Sequence, residues 1–169
     1  MPGSVSGGGK LRVLFLCTGN SCRSQMAEGW ARALKSDVID PCSAGTMPRG
    51  LDPRAVRVMA EAGVDVSAQR SKDVRVFIGQ PLDYVVSVCD KARQACPRFP
   101  GSVRMVHAGF DDPGELARDA ATEEEALMHY RRVRDEIRAF VVRLPEALDV
   151  HGGAAIESPR SQHRSQDDD

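Results

Sequence analysis

Residues 11–34, LRVLFLCTGNSCRSQMAEGWARAL, decide the fold. Leu11 to Leu16 is a short, nearly continuous apolar run, which predicts a parallel strand buried on both faces. Cys17 to Arg23 is a small polar loop, and Gly19 permits a tight turn within it. From Ser24 onward, Met26, Ala27, Trp30, Ala31 and Leu34 recur at helical spacing. Strand, loop and helix in this order bring the free N–H groups of a helix N-terminus to the carboxyl end of a strand. That makes a concave nest for a tetrahedral oxyanion, formed by Thr18, Gly19, Asn20, Ser21, Cys22, Arg23 and Ser24. Arg23 adds a planar, permanently charged fork that holds two oxygens of the anion. The same positive surroundings favour the thiolate of Cys17, a nucleophile at neutral pH, and Ser24 is placed to donate a hydrogen bond to it. A bare Cys-x5-Arg spacing is a weak signal; the strand before it and the helix after it give it meaning.

The rest of the chain repeats the alternation. Asp37 to Ser43 predicts a weaker second strand, with Pro41 pointing to an edge position. Asp52-Pro53 opens a second helix that runs to Ala62 and stops at Gly63. Ser67 to Phe77 reads as a loop and a short helix. Leu82 to Val88 is the clearest strand, and Val103 to His107 is a fourth. Thr122 and Glu125 form a capping box for a long helix that continues through Tyr130, Val133, Ile137 and Val141 to Leu144. The fold class is therefore α/β, a single-domain four-stranded parallel sheet flanked by helices, with its ligand site at the carboxyl ends of the strands. Residues 1–9 read as a flexible lead, 10–149 as the domain, and 150–169 as a disordered tail too poor in apolar residues to repay its own ordering.

A chain of 169 residues fits one domain. With 23 basic against 24 acidic side chains it has no long-range pull on nucleic acid. No apolar run nears the roughly 20 residues that span a bilayer. The first ten residues lack the apolar core of a secretory signal, and five cysteines is an odd number at low density. These features predict a cytoplasmic protein whose thiols are catalytic, metal-binding or simply buried, rather than a disulfide scaffold.

The segment VLFLCTGNSCRSQMAEGWAR (13–32) resembles the active-site segment of the low-molecular-weight tyrosine phosphatase fold, in particular that of the thioredoxin-coupled arsenate reductases built on it. The resemblance extends over roughly Leu11 to Leu144 and implies a monomer. Gly109-Phe-Asp-Asp-Pro113 resembles the Asp-Pro of that family, which makes Asp112 the general acid that protonates the departing oxygen. Cys89 and Cys96 carry the choice between phosphatase and reductase. A phosphatase has one nucleophilic thiol and no chemical use for two more, whereas reducing As(V) to As(III) takes two electrons, which two thiols supply by becoming a disulfide. The Cys89-x6-Cys96 spacing matches the redox pair of the arsenate reductases. The resemblance thus implies a relay through Cys17, Cys89 and Cys96, with arsenate as substrate and thioredoxin, glutaredoxin or a small thiol as reductant, the three thiols favouring thioredoxin. The alternatives are a tyrosine phosphatase and a non-enzymatic oxyanion-binding regulator. A weak phosphatase side activity is compatible with the first reading.

Cys22 is expected to shape the loop and Cys42 to be a buried core residue. Some members of the family bind potassium, and Asn20, Glu28 and Ser43 stand where three of its ligands would be. A fourth position falls at Lys72, whose ammonium would replace the ion, so neither potassium nor any other metal is expected. The segment Asp90 to Ala95 reads as an exposed helix or loop that rearranges. His107 is expected in a surface or packing role, and Arg131 to Arg138 as the solvated face of the last helix.

Overall fold

The structure is a computed structural model that describes residues 9–150 and 156–157. Leu11–Cys17 forms β1, Ile39–Gly45 β2, Tyr84–Ser87 β3 and Arg104–Gly109 β4. These are the four expected strands, all parallel, in the order β2-β1-β3-β4. A two-residue strand, β5 (Ile156–Glu157), pairs in parallel with β4 at Ala108 and Gly109. Val150, the first residue expected in the tail, ends a short helix, Glu146–Val150; residues 151–155 and 158–169 lie outside the described residues, as do residues 1–8.

Strand β1 is flanked on both sides, and Val13 to Leu16 are fully buried, as the continuous apolar run demanded. β2 lies at the sheet edge, where Pro41 interrupts no inner ladder. β3 is shorter than the apolar run implied. The Asp83 carboxylate, ahead of it, accepts the Arg12 N–H at 2.8 Å in place of a main-chain partner.

Arg23–Leu34 forms α1, Pro53–Glu61 α2, Asp90–Ala95 α3, Pro113–Leu116 α4, Glu123–Val142 α5 and Glu146–Val150 α6. Asp52 caps α2 by accepting from the Arg54 N–H, and Gly63 ends that turn with φ +85°. Thr122 caps α5 through the Glu125 N–H, while the Glu125 carboxylate reaches back to the Ala121 N–H, one residue before the cap. The long helix stops at Val142, although Leu144 beyond it is still fully buried. α1 lies against β1 and β2 and packs on α5, which also covers α2 and α4. Trp30 closes that contact, its indole N–H donating to the Arg134 carbonyl at 3.1 Å. No helix among the described residues is long and apolar enough to cross a membrane.

Candidate active site

The loop after β1 is shaped by what becomes of its carbonyls. The segment leaving β2 runs beside it and donates main-chain N–H groups into it: Thr46 to Cys17 O (3.2 Å), Met47 to Thr18 O (2.8 Å), Arg49 to Gly19 O (2.9 Å) and Asp52 to Ser21 O (3.0 Å). The carbonyl of Asn20 accepts from the Gln25 side chain at 3.0 Å, and that of Cys22 from the Met26 N–H. With every carbonyl from 17 to 22 turned outward, the N–H groups of Gly19, Ser21, Cys22 and Arg23 have no protein partner among the described residues. They line a pocket of about 250 Å³ with Cys17 and Asp112 on its walls. Of the seven residues expected to form a nest, Gly19, Ser21, Cys22 and Arg23 line this pocket; Thr18 lines the larger cleft, and Asn20 and Ser24 face the Cys17 sulfur instead.

Two features hold the turn. Asn20 has φ +44°, a left-handed conformation that asparagine tolerates better than most residues. Gly45 passes so close that a Cβ there would lie 2.6 Å from the Thr18 carbonyl and 2.8 Å from the Asn20 nitrogen. Only glycine fits at that position.

The Cys17 sulfur is buried at the base of the pocket, 2.8 Å from Ser24 Oγ and 3.2 Å from the Asn20 N–H. The direction of the Ser24 bond is set by its neighbours. Asn20 Oδ1 accepts from the Lys72 N–H (2.8 Å) and from Gln25 Nε2 (3.1 Å), which turns Asn20 Nδ2 toward Ser24 Oγ at 2.9 Å. Ser24 already accepts from the amide, so its own proton points at the sulfur. Asn20 therefore braces the turn and also orients the hydroxyl that supports a thiolate.

Arg23, the first residue of α1, donates to the Phe110 carbonyl at 3.0 Å and stands 3.7 Å from the Asp112 carboxylate. Asp112 caps α4, its Oδ1 accepting from the Gly114 N–H at 3.0 Å. The Asp-Pro dipeptide that implied a proton donor is also the start of a short helix, by the same cap-then-proline rule that began α2. Arg132 pairs with the adjacent Asp111 at 3.1 Å. The charge run 131–138 is thus more than a solvated face: Arg132 ties the acid loop to α5, and Arg131 ties Glu61 to it at 2.8 Å.

Cys89 and Cys96 stand at opposite ends of α3, as its N-cap and C-cap. The Cys89 sulfur accepts from the Ala92 N–H and lies 3.4 Å from the hydroxyl of Thr18, the neighbour of the nucleophile. Cys89 and Thr18 line a cleft of about 780 Å³ shared with Arg23 and Asp112. Cys96 is half-buried at the other end, and that burial pushes its thiol up from the ordinary value. His107 is buried in a packing role. It bonds Ser87 at 2.7 Å through Nδ1 and Asp90 at 3.0 Å through Nε2, which fastens the start of α3 to the sheet.

All five cysteines are free thiols. Cys22 is buried in the loop, and burial, first of all, raises its thiol well above the ordinary value. Cys42 is only half-buried, on the edge strand rather than in the core, yet desolvation still pushes it up to about 12. Of the potassium-site candidates, Glu28 and Ser43 meet directly, while Asn20 is linked to them only through Lys72, from whose main-chain N–H it accepts. The buried Glu28 carboxylate, however, takes Arg32 at 2.7 Å, the Ser43 hydroxyl at 2.8 Å and the Lys72 ammonium at 3.9 Å. A cation would have to displace that ammonium. The sequence did not single out Gln25 or Arg49, and it took Arg132 only as part of a solvated face. Gln25 alone carried a signal, a long polar side chain beside the apolar stripe of α1.

The sequence from residue 12 to 152 matches the family "Low molecular weight phosphotyrosine protein phosphatase". An arsenate reductase of Bacillus licheniformis is 46% identical over 137 residues, covering 81% of this chain and 96% of the relative. One of Bacillus subtilis is 49% identical over 125 residues, 74% of this chain and 88% of the relative. Among solved structures, an arsenate reductase in its reduced state superposes with a TM-score of 0.62 at 30% identity, covering 82% of this chain and 98% of that one. A low molecular weight protein tyrosine phosphatase from T. tengcongensis gives 0.59 at 25%, covering 82% and 99%. The chain belongs to the low molecular weight phosphotyrosine protein phosphatase family and, within it, stands with the arsenate reductases.

Proposed function

We infer that this chain reduces arsenate to arsenite through Cys17, Cys89 and Cys96, and that a thioredoxin-class dithiol restores it. The observation that carries the reading is the place of Cys89: a second thiol lines the cleft above the oxyanion nest, in contact with the residue next to the nucleophile. Arsenate sits on the loop N–H groups and Arg23, and the Cys17 thiolate attacks arsenic while Asp112 protonates the departing hydroxide to water. Cys89 then attacks the Cys17 sulfur. The S–As bonding pair stays on arsenic, which leaves as As(III), and a Cys17–Cys89 disulfide remains. Cys96 attacks Cys89, which frees Cys17 and leaves a Cys89–Cys96 disulfide for the external dithiol.

The helix between these thiols makes the last step a conformational one. The six residues of α3 put seven steps between the two α-carbons, roughly 10 Å along the axis at 1.5 Å per residue. A disulfide needs them within about 7 Å. α3 therefore has to unwind for Cys96 to reach Cys89. Free thiols suit a reducing compartment, the cytoplasm, and the relay needs only a monomer.

A phosphotyrosine phosphatase calls for an aromatic wall at the mouth. Among the described residues, Phe110 is the only aromatic side chain lining the large cleft, and its ring is turned inward against Phe140 at 6.0 Å. Because phosphate and arsenate are nearly isosteric, slow hydrolysis of small aryl phosphates by Cys17, Arg23 and Asp112 is expected beside the main reaction. The test couples arsenate, thioredoxin, thioredoxin reductase and NADPH, and tracks NADPH oxidation. Wild type should consume NADPH only with arsenate; Cys89→Ser should stall with arsenic on Cys17, and Cys96→Ser should stop after one turnover. Full multiple turnover by Cys96→Ser would overturn the relay.

A further inference from the structure

Two arginines at the mouth of the site have no part in the thiol relay. Arg49 and Arg118 each line both the 250 Å³ pocket that holds Cys17 and the larger cleft above it. Other arginines nearby are spent on ion pairs: Arg54 on Glu123, Arg75 on Asp73, Arg131 on Glu61 and Arg132 on Asp111. Arg49 and Arg118 have no carboxylate within 4 Å among the described residues. Of the acids that share their pocket, Asp112 faces Arg23, Asp52 is taken by the Arg54 N–H and the Tyr130 hydroxyl, and Glu115 lines the rim without forming an ion pair to either arginine among the described residues. Arg49 is also placed with some care. Its main-chain N–H holds the Gly19 carbonyl, and its guanidinium occupies the space a side chain on residue 19 would take, with Nε 2.8 Å from that Cβ position. The missing side chain of Gly19 therefore admits a second cation to the rim of the nest.

The chemistry of displacement says what such cations would touch. The sulfur attacks from the base of the loop, so the oxygen that leaves points the opposite way, out of the pocket toward Asp112 and the rim. In arsenate that outward oxygen is free and shares the anion's charge. In a phosphate monoester it bridges to a carbon group, carries little charge, and brings an apolar body to the place where the guanidinium groups stand. A chain of net charge -1 offers no broad positive field to gather anions, so recruitment has to be local. We propose that Arg49 and Arg118 are specificity-determining residues, which hold the outward oxygen of a bare oxyanion at the mouth and disfavour an esterified one. The proposal rests on the arsenate reading and names how the site tells that substrate from an aryl phosphate.

The experiment compares wild type, Arg49→Ala, Arg118→Ala, the double variant and Arg49→Lys. Three readouts are taken: arsenate reduction, p-nitrophenyl phosphate hydrolysis, and protection of Cys17 from iodoacetamide by inorganic phosphate. Each alanine should raise KM for arsenate more than it lowers kcat, by about tenfold for the pair, and should flatten the salt dependence of kcat/KM. Hydrolysis of the aryl phosphate should hold or rise, phosphate should protect Cys17 about tenfold less well in the double variant, and Arg49→Lys should recover part of the loss. Equal losses on both substrates, or an unchanged arsenate KM, would overturn the proposal. If wild type fails to reduce arsenate, the reductase reading falls by itself; weaker phosphate protection in the alanine variants still upholds the arginines as holders of a bare oxyanion, and unchanged protection overturns that role.

Discussion

Ser24→Ala isolates one contribution to the nucleophile. The hydroxyl lies 2.8 Å from the Cys17 sulfur, and the Asn20 amide behind it fixes the direction of its proton. A hydrogen bond to a charged acceptor contributes about 2 kcal/mol. Its loss lowers the thiolate fraction roughly 30-fold at a pH where the thiol form predominates. The surviving thiolate is more basic and so more reactive, which at a Brønsted slope of about 0.45 returns a factor of roughly 5. Alkylation of Cys17 by iodoacetamide should therefore slow about sixfold in Ser24→Ala at low pH, and the difference should shrink and then reverse as pH rises and the thiol ionises in both proteins. The Asn20 N–H at 3.2 Å and the N-terminus of α1 remain, so reactivity is reduced and not abolished. The assay monitors the Cys17 peptide by mass spectrometry from about pH 5 to 9, a range spanning ordinary thiol titration. Cys22, Cys42 and Cys96 contribute little background, since burial holds all three toward the neutral thiol. Coincident pH–rate curves for wild type and variant would mean that the serine proton does not reach the sulfur.

Other contacts carry outcomes of their own. Swapping potassium for sodium should leave wild-type activity unchanged, whereas Lys72→Ala should lose about 1 kcal/mol of stability and regain part of it in potassium over sodium chloride; indifference of the variant to the cation would separate Lys72 from that site. Cys42 ionises near 9.0 in an unfolded chain and near 12 in the fold, so the fold binds the proton more tightly and loses stability as pH rises through that window. Urea denaturation under reductant at about pH 8 and about pH 10.5 should show this loss, and Cys42→Ala should make the decline shallower; an equal decline in the variant would assign it to other groups. His107→Ala removes two bonds that fasten α3, worth about 2 kcal/mol together. It should speed diamide oxidation of the Cys89–Cys96 pair and protease cleavage between them; unchanged rates would show that His107 does not restrain the helix.

What the sequence disclosed and what it hid divide along one physical line. The run 11–34 announces its strand, loop and helix because each signal lies within one element, and Asp52-Pro53 and Thr122 mark helix starts for the same reason. The braces of the site are contacts between distant parts of the chain. Arg49 reaches Gly19, and Arg132 reaches Asp111, from positions far along the sequence, and no periodicity records such pairs. Asp112-Pro113 carries two messages, an acid and a helix cap, and the catalytic one obscures α4. Cys42 reads as core because cysteine usually is. Pro41 already marks its strand as an edge, but how much of a side chain an edge leaves uncovered depends on what packs over it, and here Cys42 stays half-covered.

The segment from Thr46 to Asp52, which captures the carbonyls of the Cys17 loop, has a consequence for how such a protein changes over generations. The cradle is main chain held chiefly by main chain, so its shape depends on few side-chain identities: Gly45 for clearance, Asn20 for the left-handed turn, Gln25 for one carbonyl. Thr18 and Ser21 can drift without loss of the cradle's shape. A scaffold that separates holding the oxyanion from deciding its fate is evolvable, and hydrolysis and reduction become neighbouring outcomes of one inherited loop.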